Sequence, residues 1–199
     1  MSYEKHVYPR SVPSDVMPLW AAVMARFGLD VQFHPAFTLT SWGGGYVPCR
    51  LVVREGAFET AGRYGGGALS AGFEFDATID PAEKALVLAD YVSEMKDDGT
   101  PLPRALVRTL RASSAIFAFT HGGFSWTTAE FRVCWFAAAA LAEVTGGLLF
   151  DEWHGGQGPA YVDGVTALRN AAERSLEFEL SPDRPLDSWD IPPFHGWEP

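Results

Sequence analysis

The sequence predicts an α+β fold: a mixed sheet with an N-terminal antiparallel meander and a C-terminal parallel β-α-β unit, its helices mainly on one face. Three observations predict it. Strand-like runs succeed one another between residues 33 and 79 with no helical pattern between them, and such strands pair antiparallel. Two helix-start signals follow, at Asp80 and Thr100. A strand–helix–strand pattern then spans Ala115 to Trp153, and each of its strand-like runs leads into the tripeptide His-Gly-Gly. One domain is expected over residues 1–180, with residues 181–199 as a Pro/Trp-rich C-terminal arm.

The first element is a helix. Ser14 is a suitable N-cap, and Leu19, Trp20, Val23, Met24 and Phe27 repeat at helical spacing before Gly28 ends the run. Strands are expected over Phe33–Thr40, Tyr46–Val53 and Ala71–Ile79. Pro48 lacks a ladder donor, so it points to an edge strand or a bulge. The Gly-rich stretch from Ala57 to Ala68 is expected to be an irregular loop. Asp80-Pro81-Ala82-Glu83 carries an N-cap, an N1 proline and an N3 glutamate. Leu88, Val92 and Met95 with Ala85 make the stripe of that helix. The next helix turns Leu102, Leu106, Val107 and Leu110 inward and sets Arg104, Arg108 and Arg111 on one face.

The strand–helix–strand unit is the most strongly written part. Thr127 and Glu130 form a capping box. The body from Phe131 to Val144 is apolar except for Arg132 and Glu143, and a helix apolar all round is a buried one. Two parallel neighbours joined by it would require a right-handed crossover. Gly155 to Tyr161 is expected to be a loop, and Asp163 to cap a final helix. From Ser181 onward five prolines accompany Trp189, Phe194 and Trp197, which excludes regular structure while remaining too aromatic for simple disorder.

Composition bounds the function. With 47% hydrophobic and 20% charged residues the 199-residue chain is an ordinary globular protein. Its net charge of −10 argues against nucleic acid, whose binders displace counterions with basic faces, and against anionic membranes. The polar stretch Met1 to His6 has no signal-peptide character. Cys49 and Cys134 read as reduced core thiols. A bacterial-type cytoplasmic setting is expected.

If the two His-Gly-Gly segments end parallel strands, His121 and His154 share the carboxyl edge of one sheet, where open sheets place ligands. His121, Ser125, Asp151 and His154 are the catalytic candidates. His121, Asp151, Glu152 and His154 are the candidate metal ligands, being donor types suited to a borderline divalent cation. Their spacing matches no established ligand motif. The plainer reading is that the glycines serve turns. Ser125 lacks the second glycine of a nucleophile elbow. Neither Gly43-Gly44-Gly45 nor Gly65-Gly66-Gly67 opens a helix as a phosphate loop must. No cofactor is expected.

The function expected is therefore a non-catalytic protein-binding module, immunity-like in its most concrete form, docking a basic partner. The C-terminal arm is the expected contact, either with that partner or between two copies of the chain. The alternative is a small metal-dependent or acid–base enzyme using His121, Asp151 and His154 at the carboxyl edge.

Overall fold

The structure, a computed structural model, describes residues 3–54, 67–97, 99–121, 128–151, 160–180 and 193–197. Its elements are β1 (Tyr3–Tyr8), α1 (Val16–Ala25), β2 (Leu29–Phe33), β3 (Gly45–Val53), β4 (Leu69–Thr78), α2 (Pro81–Asp97), α3 (Arg104–Ala112), β5 (Ile116–His121), α4 (Thr128–Val144), β6 (Leu148–Asp151), β7 (Ala160–Asp163) and α5 (Gly164–Leu180). The described strands form one sheet in the order β2-β3-β4-β5-β1-β6-β7. Its class is α+β, and every pairing is antiparallel.

This corrects the expected parallel unit. β5 and β6 are not neighbours, because β1 lies between them and pairs antiparallel with both. They run in the same direction, as the helix between them requires. The physical reason is reach: α4 spans the width of two strand spacings, about 10 Å, as easily as one. Local pattern specifies strand, helix and strand, but not what fills the gap. The filling strand, Tyr-Glu-Lys-His-Val-Tyr, is too polar to announce itself as the centre of a sheet.

The meander is β2-β3-β4, but its first strand, Leu29–Phe33, precedes the expected Phe33–Thr40 and shares only Phe33 with it; Phe37 and Leu39 are buried beyond the strand's end. Pro48 lies in β3, between β2 and β4. Its carbonyl accepts a hydrogen bond from His34 N–H at 3.2 Å. In an antiparallel strand a residue's N–H and C=O point to the same side. The donor that proline lacks thus falls just past the end of β2, where the position is locally an edge. Strand β7, only four residues long, replaces the end of an expected loop.

Helices cover both faces, three on one and two on the other. On the first face α1, α4 and α5 pack over the sheet. Residues Arg132 to Ala142 of α4 are all buried, as an apolar helix should be. Trp20, fully buried, packs on Phe33 in a tilted arrangement with ring centroids 4.4 Å apart and donates from Nε1 to the Ala137 carbonyl at 2.8 Å. The α4–α5 crossing is close: a Cβ on Gly164 would collide with the backbone of Glu143. On the second face α2 and α3 cover β1, β5, β6 and β7 through a smaller cluster of Tyr8, Leu88, Leu110, Ile116 and Phe150. Asp80 caps α2 by accepting from the Ala82 and Glu83 N–H groups, both at 2.9 Å. Asp163 caps α5 by accepting from Thr166 N–H at 2.8 Å.

The described end of the arm, residues 193–197, lies against the meander of its own chain. Pro193 bridges Leu69, Phe194 N–H donates to the Ala68 carbonyl at 2.9 Å, and the Trp197 ring meets His34 at 5.2 Å. No described helix is long and apolar enough to cross a membrane.

Candidate functional site

The carboxyl ends of β5 and β6 reach the same sheet edge, on either side of β1. His121 ends β5 opposite Tyr3, and Asp151 ends β6 opposite Lys5. The two strands stand about 10 Å apart across β1. The side chains of His121 and Asp151 lie outside the described residues, as do Ser125, Glu152 and His154 entirely. Among the described residues, no group of three His, Cys, Asp or Glu is arranged to hold a metal ion.

Two buried cations absent from the expected site lie on α4 or against it. Lys5 is 1% exposed and its Nζ sits 4.8 Å above the Trp135 ring, a cation–π geometry. Arg132 is 0% exposed and donates from Nη2 to the Ser175 carbonyl at 2.8 Å. A buried charge is tolerated only when compensated. Lys5 shares the α4 side of the sheet with Val7, Phe119 and Leu149, and alternation gives His121 and Asp151 register positions on that same side. Arg132 carried a signal in the sequence, as one of two charges in an apolar helix. Lys5 carried none.

On the other side of β1 the chemistry is phenolic. Tyr8, Tyr161 and Tyr91 cluster with ring centroids 5.9 Å and 6.4 Å apart in succession, against Phe150. Burial pushes the Tyr8 and Tyr161 phenols well above the usual value, and Tyr91 adds to both shifts. They are neutral hydroxyls at any physiological pH. The Tyr161 oxygen is buried without a well-aligned hydrogen-bond partner among the described residues, although Tyr8 and Tyr91 are near enough to bias its titration. At the open end of the cluster the His6 ring stands 6.0 Å from Phe150, and its Nε2 lies 3.1 Å from Glu4 Oε1. That hydrogen bond holds the Glu4 carboxyl below its ordinary value. Burial raises the Cys49 thiol, which makes it a poor nucleophile.

The second place of interest is the outer surface of α2 and α3. Helical spacing puts Glu83, Leu86, Val87, Asp90, Glu94 and Asp97 on one arc of α2, opposite the inward Leu88 and Met95. All six are exposed; Leu86 is 67% and Val87 40% accessible. On α3 the exposed Arg104, Arg108 and Arg111 form a stripe opposite Leu110. None of these seven charged side chains makes an ion pair among the described residues. Both exposed aliphatics were legible as departures from the inward stripe of α2.

No family model, curated protein or solved structure matches the chain.

Proposed function

We propose that the protein is a non-catalytic binding module that docks a basic protein partner on the outward arc of α2. One observation carries this reading: four carboxylates without an ion pair among the described residues surround two exposed aliphatic side chains on a single helix face. Like charges three or four residues apart cost a helix a few tenths of a kcal/mol per pair. Asp90, Glu94 and Asp97 accept that cost, and a basic surface laid across them would reverse its sign. Leu86 and Val87 supply the apolar centre that a docking patch needs inside a polar rim. An immunity-like role, capping a basic effector, is one concrete form. Residues 193–197 of the arm already lie on their own sheet, so they play no part in the proposed surface. Affinity capture from the native host, run in parallel with wild-type protein and a Glu83→Lys/Asp90→Lys/Glu94→Lys variant, tests the reading. A basic protein held by the wild type alone is expected. Equal capture by both, or none by either, overturns it.

A second reading, acid–base or metal chemistry at the carboxyl edge through His121, Asp151 and His154, draws support from the buried Lys5 at the register position beside Asp151. A desolvated cation next to a carboxylate position is a feature of active sites as well as of structural ion pairs. Metal content of the purified protein and of its His121→Ala/Asp151→Asn variant decides it. A stoichiometric metal lost in the variant supports the reading; a metal-free protein with unchanged stability on metal addition refutes its metal form.

A further inference from the structure

The α2 and α3 helices raise a question their own chain does not answer. They are consecutive, they pack side by side on the same sheet face through Leu88, Leu102, Leu106 and Leu110, and they expose opposite charges. Helix α2 shows Glu83, Asp90, Glu94 and Asp97, while α3 shows three arginines and holds no acidic residue. Neighbouring stripes of opposite sign would be expected to pair within the chain. Among the described residues they do not.

We infer that two copies of the chain associate through this helix pair about a two-fold axis, the α2 of each lying along the α3 of the other. The surface is self-complementary: it carries both the acidic and the basic half, so one rotation matches each half twice. Such an isologous contact closes on itself and leaves no free end for further growth. Leu86 and Val87 would meet the aliphatic stems of the facing arginines, which cover apolar surface while their guanidinium groups stay polar. The helices are about 25 Å and 14 Å long, which offers a contact at the low end of the range for specific interfaces. The association is therefore weak, and screening by salt weakens it further. It rests on the same acidic arc as the proposed docking of a basic partner. A partner and a second copy would compete for that arc, and the dimer would shield the face until a stronger basic surface displaced it.

Sedimentation of the full chain over a concentration series, at low and at physiological salt, reads the mass. At low salt the mean mass should approach twice that of the chain and fall toward the monomer as salt rises. Arg104→Glu/Arg108→Glu/Arg111→Glu should be monomeric, and so should Glu83→Lys/Asp90→Lys/Glu94→Lys. Mixed in equal amounts, the two variants should form a heterodimer, because each reversed stripe then faces a complement. Circular dichroism checks that both remain folded. A wild type that is monomeric throughout, reversed variants that still dimerise, or a mixture that stays monomeric overturns the inference. The arginine variant also separates the two proposals. Capture of a basic partner by that monomeric variant supports both. Capture by an arginine variant that remains dimeric leaves the partner reading standing and removes this one.

Discussion

The two faces of the sheet are built on different terms. On one, α4 is sealed from Arg132 to Ala142, three helices interlock, and a tryptophan sits at the centre of an aromatic cluster. On the other, two helices rest on a handful of side chains and keep most of their surface in water. The first face carries stability. The second can afford exposed aliphatics and uncompensated charge, since little of the core depends on it. A binding surface is better placed on an element whose outward residues are free to vary than on a helix packed on every side.

Substitutions on the two faces should differ accordingly. The largest loss is expected for Trp20→Ala, which empties the centre of the first face and removes the bond to Ala137; about 4 kcal/mol is expected from large core truncations. Leu110→Ala, the corresponding truncation under α3, should cost about 2 kcal/mol, near the low end for buried leucine, because α3 relaxes onto the site more easily. Chemical denaturation of both variants measures the difference, and equal losses would erase the distinction between the faces.

Smaller effects sharpen the comparison. Tyr161→Phe removes a buried hydroxyl that lacks a well-aligned partner, so stability should hold or rise by up to about 1 kcal/mol. A clear loss in thermal unfolding would show that the tyrosine cluster is a functioning hydrogen-bond network. The smallest effect belongs to Glu4. Its carboxyl is held below the ordinary value by His6, so the folded state releases that proton more readily than the unfolded chain does. The resulting stabilisation is present above the ordinary carboxylate value and disappears as pH falls through the lowered one. Partial exposure keeps it below about 1 kcal/mol. The stability gap between wild type and Glu4→Gln should be open at neutral pH and shrink as pH falls below the ordinary carboxylate range. A gap that does not change with pH removes the assignment.

What the sequence showed depended on the range of the information. The α4 helix was legible because burial is written into eleven consecutive residues. The Asp80 and Asp163 caps were legible because capping is local. Strand order was not, since a parallel pair and two like-directed strands separated by a third have the same local pattern. The Lys5 position was not legible either, because a lysine in the inward place reads as an outward one until Trp135 supplies its cover. For the candidate edge, alternation located the backbones of His121 and Asp151, while the loops bearing Ser125, Glu152 and His154 lie outside the described residues.

The placement of β1 also governs how the molecule assembles. Residues 3–8 pair with residues 117–121 and 148–151, far along the chain. Each pairing closes a loop of more than a hundred residues, an entropic barrier met before any contact rewards it. The meander and the helix pair need no such long closure, so nothing requires the middle of the sheet to close before they form. Until it closes, β5 and β6 face an empty slot one strand wide. Protein lacking residues 3–8 would keep that slot, and a synthetic peptide of the same six residues is the natural ligand to refill it.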